Sequence, residues 1–120
     1  MADTILVVDD DVGVRLTLET MLESEGYDVV VAADGLDALT KLEARRPSVI
    51  LLDWGMPRMD ATAFAARLQQ QGLHPGIPIL LLTADGRPRE KAARINADGY
   101  LGKPFAMDDL LGEIARLAAS

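Results

Sequence analysis

The stretch Val49-Ile50-Leu51-Leu52-Asp53-Trp54-Gly55-Met56-Pro57 decides the fold. Its four leading apolar residues suit a strand buried on both faces. Such strands sit inside parallel sheets that are covered by helices. The run stops on a carboxylate, and Gly55 and Pro57 then break the chain. Asp53 is thereby predicted at the carboxyl end of a central strand. Open α/β sheets bind their ligands outside that edge, where the strand order reverses.

On the amino-terminal side, Thr4-Ile5-Leu6-Val7-Val8 reads as another buried strand, running into the acidic loop Asp9-Asp10-Asp11. A helix follows from Asp11 or Val12, with Asp11 as its cap. Val14, Leu18, Met21, Leu22 and Glu25 mark one face, with Leu16 beside it. Gly26 closes that helix. Asp28-Val29-Val30-Val31-Ala32 is the second strand. Asp34-Gly35 starts a helix with Leu36, Ala38, Leu39 and Leu42 inward, and Pro47 closes it.

Beyond the central stretch, Asp60 caps a helix that carries Ala61, Phe64, Ala65 and Leu68 on one face. His74, between Leu73 and Pro75, reads as a solvated loop residue. The run from Ile77 to Leu82 is a fourth strand, ending in Thr83-Ala84-Asp85. Pro88 opens a short helix to Ile95 or Asn96. Asp98 to Gly102 is a short fifth strand that leads into Lys103-Pro104-Phe105. A last helix starts near Met107, with Leu110, Leu111, Ile114, Leu117 and Ala118 inward.

Strict alternation of strand and helix implies a parallel sheet covered on both faces. The apolar strands 1, 3 and 4 belong at its centre. The expected architecture is α/β, a flavodoxin-like (βα)5 three-layer sandwich with strand order 2-1-3-4-5. The 120 residues fit a single domain over 1–120, with no output domain following in this chain. There is no cysteine, which rules out a disulfide framework and a thiolate metal site. The net charge of −7 argues against direct DNA binding by this domain and against anionic membrane surfaces. No apolar run approaches the roughly 20 residues that cross a bilayer, and the N-terminus has no secretory pattern. A cytoplasmic location is expected.

Adjacent parallel strands lie about 4.8 Å apart, so Asp9, Asp10 and Asp53 are predicted to crowd into one crevice. Like charges at that distance raise one another's pKa. A divalent cation resolves the conflict, and hard oxygen ligands select magnesium, with manganese as its substitute. Thr83 at the end of strand 4 offers a hydroxyl, Ala84 its backbone N–H, and Lys103 at the end of strand 5 a compact positive charge. Converging on a carboxylate, these are the groups that a phosphoryl adduct would need. Asp53 needs no general base to act as the nucleophile, because a carboxylate is ionised at neutral pH.

Val7-Val8-Asp9-Asp10-Asp11, Asp53 through Asp60, Leu82-Thr83-Ala84 and Lys103-Pro104-Phe105 resemble the signature blocks of the two-component response-regulator receiver domain. The likeness runs from Thr4 to Leu117, with the blocks in the family's order. It implies that Asp53 is the phosphoacceptor for a sensor histidine kinase or a histidine phosphotransfer protein. It implies magnesium held by Asp10, Asp53 and the Gly55 carbonyl, with Asp9 acting through water. It implies that Thr83 and Lys103 hold phosphoryl oxygens and that the peptide before Pro104 is cis. It also implies a switch in which Thr83 moves inward and Tyr100 follows, so that the face made by the fourth helix, fifth strand and fifth helix controls a downstream protein or a linked output domain. Val14 and Phe105 would lie where the phosphodonor protein docks. A monomer or weak dimer is expected.

The chain departs from the family pattern at three points. Ala61 replaces a usual Gly. The span from Thr83 to Lys103 is about two residues short. Gly55 lacks a side chain at a position that tunes dephosphorylation, while Asp85 holds the other such position. Two rival readings are a magnesium-dependent phosphohydrolase with an Asp nucleophile and a degenerate receiver acting only as an interaction module. The first calls for a second acid where Gly55 stands, and the second sits poorly with a complete set of acids, Thr and Lys.

Overall fold

The computed structural model describes residues 3–56, 59–71 and 76–119; Pro57 and Arg58 of the central motif and the His74 loop lie outside the described residues. The elements are β1 (Thr4–Val8), α1 (Val12–Ser24), β2 (Asp28–Ala32), α2 (Gly35–Ala44), β3 (Val49–Asp53), α3 (Ala61–Gln71), β4 (Ile79–Thr83), α4 (Pro88–Arg94), β5 (Gly99–Gly102) and α5 (Met107–Ala118). The sheet order is β2-β1-β3-β4-β5, and every pairing is parallel. The expected flavodoxin-like winding is therefore the one observed.

Successive strand residues point to opposite faces, and the core divides accordingly. Ile5, Val7, Val49, Leu51, Leu80 and Leu82 pack with Leu18 and Leu22 of α1 and with Leu110, Ile114 and Leu117 of α5. Leu6, Val8, Ile50, Leu52, Ile79 and Leu81 pack on the other face with residues of α2, α3 and α4, among them Leu39, Phe64 and Ala92. Every residue of β1, β3 and β4 is buried. Each fully buried Leu or Ile contributes about 1.5–3 kcal/mol, so the three central strands carry much of the driving force for folding.

Local chemistry fixes the helix ends. Asp11 Oδ1 accepts from Val14 N, Asp34 Oδ1 from Asp37 N and Asp60 Oδ1 from Ala63 N, and each satisfies an otherwise orphaned N–H of a first turn. Gly26 closes α1 with a φ of +94°, a conformation that costs Gly nothing. Gly35 has a different reason. A Cβ there would lie 2.8 Å from Met59 Cγ and 3.0 Å from the Met59 carbonyl oxygen. The start of α2 thus rests directly on the loop that follows β3.

Five boundaries and faces differ from expectation. Leu36 was expected inward but is 41% exposed; it lies in the first turn of α2, one residue into the helix. Leu16, expected beside the buried face of α1, is likewise exposed. β4 starts at Ile79, after Pro78, which has no N–H for the ladder. β5 starts at Gly99, because Asp98 is spent on a clasp: its N–H donates to the Ile79 carbonyl at 2.8 Å, and its Oδ2 accepts from Ile79 N at 2.8 Å. The fourth helix stops at Arg94, short of Ile95, and Asn96 then takes the left-handed conformation at φ 54°.

Candidate functional site

The strand alternation continues past the last ladder residues and sorts the polar groups at the sheet's carboxyl edge. Asp9 follows Ile5 and Val7, Asp53 follows Val49 and Leu51, and Lys103 follows Leu101, all on the side of the sheet that α1 and α5 cover. Thr83 follows Ile79 and Leu81, on the side that α4 covers. Asp9, Asp10 and Asp53 offer carboxylate oxygens that all lie within 4.8 Å of one another. Asp9 and Asp53 are buried, while Asp10 is exposed at the rim.

Lys103 joins two of the acids. Its Nζ donates to Asp53 Oδ1 at 3.0 Å and to Asp9 Oδ2 at 3.2 Å. The peptide that follows, Lys103–Pro104, is cis. The Asp9 loop is tied from three further directions. Asp9 N donates to the Ala32 carbonyl at 3.1 Å, Asp11 N donates to Asp9 Oδ1 at 2.9 Å, and Arg15 Nη1 donates to the Asp9 carbonyl at 2.8 Å. Arg15 was not singled out from sequence. The available signal was a basic side chain in the first turn of a helix, where the positive end of the helix dipole disfavours it.

The electrostatics follow from this geometry. Burial pushes the Asp53 carboxyl above its ordinary range; the hydrogen bond from Lys103 opposes that push, and the neighbouring Asp9 and Asp10 reinforce it. Burial alone would lower the Lys103 ammonium, but the hydrogen bond to Asp53 and the charges of Asp53 and Asp9 outweigh it and hold Lys103 above the ordinary lysine value. Three carboxylates against one ammonium leave excess negative charge in a partly dry crevice. The donor set is all oxygen and hard, which fits a magnesium ion and not a soft metal. Gly55 stands exposed in the loop two residues beyond Asp53, and among the described residues none but its chain neighbours comes within 4 Å of where a Cβ would be.

The remaining candidates sit nearby and are differently engaged. Thr83 is buried, one position beyond the Asp53 partner Leu82 on the neighbouring strand. Its hydroxyl oxygen accepts from Asp85 N at 3.1 Å, which leaves the O–H free to donate elsewhere. Ala84 is exposed next to it. Tyr100 is 40% exposed and borders a surface groove with Arg89, Ala93, Glu113 and Arg116. Trp54 is half-buried, with Lys91 of α4 lying 5.6 Å from its ring centroid; the same Lys91 Nζ donates to the Gly86 carbonyl. This second bridge, from α4 to the loops after β3 and β4, was also missed from sequence, since nothing in the spacing pairs Lys91 with Trp54.

Residues 5–115 match the family model of the response regulator receiver domain. The chain belongs to that family. It is 41% identical over 119 residues to the response regulator MprA of Mycobacterium bovis, an alignment covering 98% of this chain and 51% of that protein. The chain thus spans about half the length of the curated relatives it matches. Among solved structures it resembles the Vibrio cholerae chemotaxis protein CheY4, with 34% identity and a TM-score of 0.89 over 98% of this chain and 99% of that one. The receiver domain of a Pseudomonas aeruginosa sensor histidine kinase is 31% identical, with a TM-score of 0.90 over 100% of both chains. That neighbour has a magnesium ion coordinated in its active-site cleft. Among the described residues of this receiver domain, no helix is long and apolar enough to cross a membrane.

Proposed function

We propose that this receiver accepts a phosphoryl group on Asp53 from a sensor histidine kinase or a histidine phosphotransfer protein, in a magnesium-dependent reaction, and so controls a partner. The observation that carries the reading is the position of Lys103, bonded at once to Asp53 and Asp9 within a cluster of three acids. Asp10, Asp53 and the Gly55 carbonyl would hold magnesium, or manganese in its place, with Asp9 acting through water. A bound divalent ion supplies positive charge that offsets the carboxylates and the phosphoryl oxygens.

An Asp53 carboxylate oxygen attacks the phosphorus of the donor. The bond from phosphorus to the donor imidazole nitrogen breaks, and the imidazole keeps the electron pair. Lys103 neutralises phosphoryl charge, while the Thr83 hydroxyl and Ala84 N–H donate to its oxygens. The adduct biases a two-state element, with Thr83 drawn inward and Tyr100 following from its exposed position toward the space released. The face formed by α4, β5 and α5 reports that state to a downstream protein or a linked output domain. Gly55 offers no second acid beyond the nucleophile, which favours a phosphoacceptor over a phosphohydrolase. We read the unit as one receiver domain over 1–120, cytoplasmic, monomeric or weakly dimeric, and without DNA contacts of its own, in keeping with its net charge of −7.

The test uses magnesium and acetyl phosphate, followed by intact mass. A labile phosphoryl adduct on the parent, absent from Asp53→Asn, is the expected result. An adduct on both proteins or on neither overturns the assignment.

A further inference from the structure

Asp10 presents a puzzle of positioning. It is the exposed member of the acid cluster. Among the described residues no hydrogen bond or ion pair engages its side chain, whereas Asp9 is held at both carboxylate oxygens. Its carboxylate nevertheless reaches into the cluster. What fixes Asp10 must act through its backbone.

Arg15 does this. Its Nη1 donates to the carbonyl oxygen of Asp9 at 2.8 Å, and that carbonyl belongs to the planar peptide joining Asp9 to Asp10. Holding the oxygen fixes the plane, and with it the direction in which the Asp10 Cα and side chain leave. The other end of the segment is also pinned, by Asp11 N on Asp9 Oδ1 and by the Asp11 cap of α1. Arg15 is half-buried in the first turn of α1, a turn without acidic residues. A cation there works against the helix dipole, so the local helix gains nothing electrostatically from its presence.

We propose that Arg15 is a positioning residue for the cation site, orienting the Asp9–Asp10 peptide so that the Asp10 carboxylate faces Asp53. This rests on the reading that the acids hold magnesium. The two possible influences of Arg15 on a bound cation have opposite signs. As a mere nearby positive charge it repels magnesium, and its removal tightens binding. As a positioning residue it preorganises a ligand, and its removal weakens binding. Loss of a group that orients a metal ligand typically costs about 10–100-fold in affinity.

The experiment is calorimetric titration of magnesium chloride into the parent, Arg15→Ala and Arg15→Lys, with thermal melts in magnesium-free buffer alongside. We expect Arg15→Ala to bind about tenfold more weakly, and Arg15→Lys, which keeps a donor and the charge, to recover most of the loss. Unchanged or tighter binding in Arg15→Ala overturns the positioning role and leaves the metal reading standing. Weak binding in both variants together with a large fall in melting temperature also overturns it, since Arg15 would then simply hold α1 in place. A parent with no magnesium response removes the metal reading and the positioning role together.

Discussion

The two faces of the sheet's carboxyl edge are built differently. On the side of α1 and α5, Lys103 cross-braces Asp53 and Asp9 at 3.0 and 3.2 Å, and the Asp9 loop is further tied to β2 and to Arg15. On the side of α4, the Thr83 side chain is engaged only by its own loop through Asp85 N among the described residues, and Tyr100 is 40% exposed. α4 itself has seven residues, and the residue that caps its start is Arg87, a non-glycine in the left-handed conformation whose side chain makes no capping bond. Left-handed backbone at a non-glycine costs of order 1–3 kcal/mol, so this helix starts from a less favourable base than α1. The faces are joined by a backbone bond from Lys103 N to the Thr83 carbonyl at 2.7 Å. A rigid charge site beside a lightly held pair is what a two-state signalling element needs. In the proposed switch, the braced side would bind without rearranging, and the other would have little to lose by moving.

The largest expected effect breaks the brace. Lys103→Met leaves two buried acids facing each other. Fully buried, such a loss costs about 3–5 kcal/mol. With the Lys103 side chain 24% exposed, about 1–3 kcal/mol is expected in urea unfolding without magnesium. Millimolar magnesium should restore part of it by mass action. Full stability in the variant would mean that the acid side is not the braced one.

A smaller effect separates charge from shape. The pKa of Asp53 is raised in the fold, chiefly by burial. Its contribution to stability is therefore full below the unfolded value, about 4, and is lost as pH rises through the folded value. In magnesium-free buffer at pH 7, Asp53→Asn should melt above the parent, and the gap should close as pH falls toward about 4. A variant that melts lower at pH 7 would show that the bond from Lys103 outweighs burial.

The smallest effect probes the other face. Lys91→Met removes the cation over Trp54 and the bond to Gly86. It should cost less than about 1 kcal/mol, and yet change Trp54 emission in the unphosphorylated protein. A loss as large as that of Lys103→Met would erase the contrast between the faces.

Much of this was legible from residue order because the signals were local. Apolar runs that end in acids, Asp caps at three helices and Gly26 in the left-handed conformation depend on neighbours in sequence. Where reading failed, the deciding partner was remote. Leu36 obeys helical periodicity, yet the fold leaves it 41% exposed. Asp98 looks like the first residue of β5, yet Ile79 claims both its backbone and its side chain.

The sequence by itself determined the five strands, the winding and the placement of Asp9, Asp10, Asp53, Thr83 and Lys103 at strand ends, because hydrophobic run length and chain breaks carry that information. It could not determine which face each residue takes. In Val49-Ile50-Leu51-Leu52 both faces are apolar, so the alternation leaves no trace in composition. Only the packing of α1 and α5 against one face and of α2, α3 and α4 against the other put Asp9, Asp53 and Lys103 together and Thr83 on the opposite side. The bonds of Lys103 and Arg15 to the acid loop, 94 and six residues apart in the chain, are likewise set by that packing.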